Sequence, residues 1–130
     1  MSLLRVERLE VRYGLLPAVR GVSFELSEGE ILALVGANGA GKTSLLRAIA
    51  GAHRPSAGRI LFNGTDLGVL RAHQRVQMGI ALVPEGRRLF AGLTVEENLR
   101  VAGSRQRRGN WNVDSVVGAF PMLRPLLTRR

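Results

Sequence analysis

The sequence lacks cysteine, holds few aromatic residues and contains no long apolar run. Without cysteine there can be no disulfide framework, which is consistent with a reducing compartment. The richest apolar run, residues 31–35, has the length of a strand and falls far short of the roughly 18 residues that a membrane span needs. The N-terminus becomes charged at Arg5, too early for the apolar stretch of a secretory signal. Together these absences and the length of 130 residues predict one soluble globular domain.

Positive charge is in excess, with a formal net charge of +9, but it is spread along the chain. Dense groups occur only at residues 87–88, 105–108 and 129–130, and no aromatic residues interleave with them to stack bases. We therefore expect solvated surface arginines and no nucleic acid among the partners. Of the 19 basic residues 18 are arginine, and the one lysine is Lys42. A single lysine in such a chain indicates a chemical need for a compact ammonium group.

The apolar pattern changes repeatedly between the periods of strands and helices. Alternation predicts half-buried strands over residues 6–13, 19–26 and 59–62, the last of them ended by an Asn63-Gly64 turn. Continuous apolar runs at residues 31–35 and 80–83 are typical of strands covered on both faces. Helices are predicted over residues 42–50, 71–78, 94–101 and 113–120, and a surface loop over residues 103–112. This order of elements predicts an α/β fold with an antiparallel flank.

A glycine-rich segment follows the first continuous apolar run. It reads Gly36-Ala37-Asn38-Gly39-Ala40-Gly41-Lys42-Thr43, which matches the phosphate-binding pattern G-x-x-x-x-G-K-[ST]. The glycines let the backbone curl so that its N–H groups point at phosphate oxygens, and the next helix presents its free N–H groups to the same phosphates. Lys42 supplies a charge to the terminal phosphates, Thr43 takes a magnesium position, and Ser44 adds a further hydroxyl. The segment predicts a site for ATP and Mg²⁺, rather than a glycine-rich turn that happens to carry a lysine.

Together with this loop, other segments resemble the nucleotide-binding domain of ABC transporters. The first predicted strand ends in Tyr13, where the family has an aromatic residue that stacks on adenine; the alternative is a strand-end tyrosine with a solvated hydroxyl. The stretch Val83-Pro84-Glu85-Gly86-Arg87 resembles the branched-chain amino-acid uptake branch of the family, of LivF type. Glu85 stands where the wider family has a glutamine at the magnesium site, so it is either a magnesium ligand or an exposed glutamate. Arg87, Arg88 and Phe90 are either a surface turn or part of the dock for a membrane subunit.

The resemblance covers about residues 3–100 and implies a P-loop NTPase core that is truncated before the signature motif. The family's L-S-G-G-Q signature, its apolar strand ending in Asp-Glu and its switch histidine do not appear, and His53 and His73 are interpreted as ordinary surface histidines. Residues 1–130 are thus expected to be a partial nucleotide-binding domain that binds MgATP. By resemblance, hydrolysis requires the full-length dimer of ATP-binding subunits, a homo- or heterodimer, which drives transmembrane permease subunits from the cytoplasmic face of the membrane. The resemblance implies uptake of branched-chain amino acids or of a related amide or urea substrate.

Two other functions stay open from the sequence. One is a short nucleotide-binding interaction protein that does not hydrolyse ATP. The other is a basic nucleic-acid-binding protein, whose DNA affinity would depend steeply on salt and would not change with Lys42→Ala. We also expect the isolated chain to be marginally stable, because much of the implied sheet would be missing and strand edges would be exposed.

Overall fold

In the computed structural model the chain forms two compact units, Met1–Leu82 and Val83–Arg130. The structure describes residues 2–37, 39, 41–86, 88–103, 109 and 111–130. The first unit holds a β-sheet with two helices and the main buried core, and the second unit contains two further helices. The assignment of residues 1–130 to one partial nucleotide-binding domain stays a prediction.

A four-stranded antiparallel sheet with the order β2-β1-β3-β4 lies in the first unit. Its strands are β1 (Ser2–Tyr13), β2 (Leu16–Ser27), β3 (Ala57–Phe62) and β4 (Thr65–Asp66). The turn between β3 and β4 has positive φ at both residues, 49° at Asn63 and 79° at Gly64, as a type I′ hairpin turn requires. The three predicted half-buried strands are confirmed, and each is longer than the sequence pattern predicts.

A bulge in β1 explains how Val6 and Leu9 reach the same buried face although they are an odd number of residues apart. The pairing of β1 with β2 shifts register between these two residues, and Arg8 within the step has a φ of 45°. On the other side of β1, Gly58 of β3 comes so close that a Cβ there would lie 2.3 Å from the carbonyl oxygen of Arg8. Position 58 therefore needs glycine both for this approach and for its φ of 80°.

Helix α1 packs against the sheet and completes the core of the first unit. It spans Lys42–Ala50, as predicted, and ends at Gly51 in the left-handed conformation with a φ of 87°. After β4 come a 3-10 turn, Leu67–Val69, and helix α2, Ala72–Met78, which confirms the predicted helix over residues 71–78 within one residue. The buried members of the core are Val6, Leu9, Val11, Val19, Leu45, Ala48, Ile60 and Leu67.

Residues 31–35 and 80–83 are not strands, so the prediction of two strands covered on both faces is wrong. A strand forms only where neighbouring backbone satisfies its N–H and C=O groups, and none of the described residues pairs with either run in a sheet. The exposure of the first run reflects this, since Ile31 and Val35 are 96% and 93% exposed. Leu34 between them still packs against the core.

The second unit is built around two short helices. They are α3 (Val95–Ala102) and α4 (Val113–Ala119), and a 3-10 turn, Pro121–Leu126, follows. The capping box that the sequence predicts at the start of α3 is present. The Glu97 N–H donates to Thr94 Oγ1 at 3.2 Å, and the Thr94 N–H donates to the Glu97 carboxylate at 2.7 Å. The loop predicted over residues 103–112 lies mostly outside the described residues.

Candidate functional site

The glycine-rich loop leads directly into the N-terminus of α1 and contacts β2. Gly39 and Gly41 have φ values of 84° and 90°, which side-chain-bearing residues rarely adopt. At Gly41 a Cβ would lie 2.1 Å from the carbonyl oxygen of Ala18 in β2, so no larger residue fits without moving backbone. Gly41 is also the N-cap of α1, and no side chain makes a capping hydrogen bond there. The positive end of the helix dipole therefore lies at the loop without a capping side chain over it.

Lys42 contacts the first residue of the glycine-rich segment. Its ammonium nitrogen donates a hydrogen bond to the carbonyl oxygen of Gly36, the first residue of the segment. The one lysine of the chain is therefore turned back over the glycine-rich loop and lies beside the N-terminus of α1. Two of the predicted site residues, Asn38 and Ala40, lie outside the described residues.

Thr43 and Ser44 follow in the first turn of α1, but their surroundings differ. Thr43 is exposed, and its assignment as a magnesium ligand stays a prediction. Ser44 is only 8% exposed, and its hydroxyl oxygen lies 3.2 Å from that of Tyr13. The structure thus pairs the Ser44 hydroxyl with Tyr13, while the predicted contribution of Ser44 to phosphate binding stays a prediction.

Tyr13, the last residue of β1, makes a second contact through its ring. The ring centroid lies 4.6 Å from that of His53, and the two planes are tilted by 37°. His53, interpreted from the sequence as an ordinary surface histidine, is partly exposed and packs its ring on Tyr13; His73 is exposed, as predicted. The hydroxyl contact with Ser44 also does not fit a Tyr13 whose hydroxyl is simply solvated. Tyr13 nevertheless keeps 44% of its surface exposed, which leaves room for a ligand.

Glu85, the other predicted magnesium ligand, lies in the second unit with its side chain exposed. Within the described part of the chain there is no group of three or more histidine and acidic residues that could hold a metal ion by itself. Magnesium at nucleotide sites keeps several waters and is bound by one or two side chains together with the phosphates. The absence of a protein-only cage therefore does not decide either assignment, and those of Thr43 and of Glu85 both stay predictions.

Arg75 of α2 is a buried charged residue at the C-terminal end of α1 that the sequence does not single out. It is only 5% exposed, and its guanidinium donates to four backbone carbonyl oxygens. They belong to Ala48 at 2.7 Å, Ile49 at 3.0 Å, Leu67 at 2.7 Å and Leu70 at 3.2 Å. Burial lowers the pKa of Arg75 from its ordinary value. Arg75 thus fixes the last turn of α1 to the segment that precedes α2.

The family model described as ABC transporter matches residues 19–125. This range contains the glycine-rich loop and all of α1, and it covers well over half of the chain. The chain belongs to the ABC transporter family. The resemblance of the sequence to this family is thereby confirmed. Among the described residues, no helix is long and apolar enough to cross a membrane.

Curated members of this family include close matches over nearly the whole chain. BraG of Pseudomonas aeruginosa, a high-affinity branched-chain amino acid transport ATP-binding protein, is 38% identical over 130 residues. LivF of Archaeoglobus fulgidus, a probable protein of the same kind, is 35% identical over 130 residues. Each match covers 98% of this chain but only 56% of BraG and 55% of LivF. The chain spans about half the length of these relatives.

Solved structures agree with the fold. The structure of an ATP binding subunit of an ABC transporter matches with a TM-score of 0.75 and 30% identity, covering 98% of this chain and 53% of that one. A dimeric bacterial ABC transporter cassette, MJ0796, matches with a TM-score of 0.81, and at 18% identity it shows the shared fold alone. The predicted fold class, an α/β nucleotide-binding core with an antiparallel flank, is confirmed.

Proposed function

We propose that this chain binds MgATP as the ATP-binding part of an ABC importer subunit. The observation that carries the proposal is the hydrogen bond from the Lys42 ammonium to the Gly36 carbonyl oxygen, beside the N-terminus of α1, which has no side-chain cap. Curled backbone, a helix N-terminus and a compact cation are the groups that recognise a triphosphate. Family membership and the match to an ATP binding subunit support the same ligand.

In the proposed complex each end of the nucleotide has its own contact. The terminal phosphates displace the Gly36 carbonyl as the partner of the Lys42 ammonium, because a charged oxygen is the stronger acceptor. Thr43 is the proposed magnesium ligand in the first unit, and the role of Glu85 stays a sequence-based prediction. The adenine stacks on Tyr13, whose exposed ring belongs to the same unit as the loop. A stack of this kind contributes about 1–3 kcal/mol.

We extend the proposal to a protein of the length of BraG and LivF, of which this chain spans about half. We propose that hydrolysis takes place in a dimer with a second ATP-binding subunit, and that the dimer drives transmembrane permease subunits from the cytoplasmic face of the membrane. BraG and LivF support branched-chain amino acids as the transported substrate. A ribose import ATP-binding protein of Rubrobacter xylanophilus is 39% identical, but over only 107 residues. BraG and LivF match over 98% of the chain, and we therefore favour branched-chain amino acids.

A nucleotide titration tests the ligand. We compare the affinity for MgATP of the wild-type chain with those of Lys42→Ala and Arg47→Ala by calorimetry. Arg47 lies in the last turn of the same helix, so its variant removes an equal charge far from the loop. Loss of a charged hydrogen bond of about 1.5–3 kcal/mol predicts a fall of roughly 10- to 150-fold for Lys42→Ala. The Arg47→Ala affinity should stay within about 2-fold of wild type, as expected for a surface change.

Equal affinities for the two variants would refute the phosphate site. A parallel titration with duplex DNA distinguishes the remaining function. If DNA binds with a steep salt dependence and Lys42→Ala leaves that affinity unchanged, the chain is a nucleic-acid-binding protein instead.

A further inference from the structure

We infer that His53 is a positioning residue that holds the Tyr13 ring in place for a stacked adenine base. This inference rests on the proposed function, since it concerns the base end of the same nucleotide. It assigns a role in base binding to a histidine that lies outside the phosphate-binding pattern, in the segment after α1. Three features of the structure support this role.

The first feature is the need of Tyr13 for support. It ends β1, is followed by Gly14 with a φ of 61°, and keeps 44% of its surface in solvent. A ring in this position loses rotamer freedom when a base stacks on it, and that loss weakens binding. The contacts with Ser44 and His53 restrict the ring before any ligand arrives. Tyr13 is therefore a preorganised surface rather than a free side chain.

The second feature is that His53 is itself fixed. Its N–H donates to the carbonyl oxygen of Arg47 at 3.4 Å, and the neighbouring Ala52 N–H donates to the same oxygen at 2.9 Å. Its ring Nε2 lies 3.3 Å from the carbonyl oxygen of Arg12. Since a carbonyl only accepts, this contact needs the proton on Nε2. The imidazole is thus anchored to the end of α1 through its backbone and to β1 through its ring.

The third feature is that α1 holds both residues that contact Tyr13. Ser44 lies in the first turn of the helix, and His53 is bonded to its last turn. A helix of nine residues is a rod about 13 Å long. One rigid element therefore carries the phosphate-binding loop at its N-terminus and sets the position of the aromatic ring. Removing the imidazole should loosen the ring and leave the phosphate end of the site unchanged.

The test separates base binding from phosphate binding. Affinities for ATP and for tripolyphosphate, both with Mg²⁺, are measured on the full chain for wild type, His53→Ala and His53→Phe. Freeing one immobilised side chain predicts a fall of roughly 3- to 10-fold in ATP affinity for His53→Ala. The tripolyphosphate affinity should stay within about 2-fold, because that ligand does not touch the ring. His53→Phe restores an aromatic contact and should recover most of the ATP affinity, and His73→Ala is the matched control on an exposed histidine.

Three results would overturn the inference. They are an unchanged ATP affinity in His53→Ala, an equal loss of both ligands, which indicates a general structural effect, and a His53→Phe variant as weak as His53→Ala. Tyr13→Ala distinguishes this failure from failure of the proposed adenine site. If Tyr13→Ala leaves the preference for ATP over tripolyphosphate unchanged, the adenine site is wrong. If it lowers that preference and His53→Ala does not, only the role of His53 fails.

Discussion

Replacement of the buried Arg75 by methionine tests whether one guanidinium fixes α1 in the first unit. Methionine keeps a flexible apolar stem and removes all four donors to backbone carbonyls. The carbonyls of Ala48 and Leu67 keep backbone donors, from Gly51 at 3.3 Å and Leu70 at 3.0 Å. The loss is therefore smaller than four charged hydrogen bonds, and it is offset in part because burying a guanidinium is itself unfavourable. We expect the free energy of unfolding to fall by about 2–4 kcal/mol.

Urea unfolding followed by circular dichroism measures this change, and Arg47→Met is the control. Arg47 is an exposed arginine on α1, so its replacement should change the free energy of unfolding by less than about 0.5 kcal/mol. A loss of about 2–4 kcal/mol is a large part of the stability of an ordinary domain, so the Arg75→Met chain should be visibly less folded at low urea. If the two variants unfold at the same urea concentration, the contacts of Arg75 do not stabilise the fold and the reasoning is refuted.

Two further predictions concern a glycine and an ion pair. Gly41→Ala should unfold at a lower urea concentration and bind MgATP more weakly than Gly29→Ala. Both positions have positive φ, but only at Gly41 would the new Cβ meet backbone atoms. Equal effects of the two substitutions would show that the backbone of β2 moves away from residue 41 at little cost. The hydrogen bond from Arg59, at 2.5 Å, lowers the pKa of Glu7 below its ordinary value of 4.5. Its stabilising contribution is therefore present above that value and is lost as the pH falls through the lowered pKa. Glu7→Gln should be less stable than wild type at pH 7, and the difference should shrink as the pH falls below 4.5; a difference that does not change between pH 7 and strong acid would contradict the assignment.

The sequence predicts most of what local chemistry determines. The limits of α1 follow from the glycine before Lys42 and the Gly51 stop, and the structure confirms both. The capping box at Thr94 and the turn at Asn63 are likewise predicted correctly, because the residues that form them have strong backbone preferences. In each case the signal lies within a few residues of the structure that it produces.

The contacts that the sequence does not predict are between segments far apart in the chain. Arg75 occupies a helix position that a charge pattern assigns to solvent, and only the fold brings four carbonyl groups around it. The ring of His53 meets Tyr13 across 40 positions of sequence through the pairing of β1 with β3 and the end of α1. Apolar periodicity carries no information about such contacts. One local feature does indicate that Arg75 is buried. It lies three residues before the partly buried Met78, so the two side chains share a face of α2.

Residues 31–35 test whether a segment of high strand propensity forms a strand when no neighbouring strand pairs with it. In the described chain this run lies outside the sheet, and Ile31 and Val35 are exposed despite their high strand propensity. We expect its amides to exchange with deuterium at nearly the rate of an unfolded peptide, because exchange requires only that an N–H is not held in a hydrogen bond. The amides of residues 4–6 in β1, which lie between two paired strands, are the internal control and should exchange at least about 100-fold more slowly. Equal protection of the two segments would mean that residues 31–35 do find a backbone partner, and that the run is a strand after all.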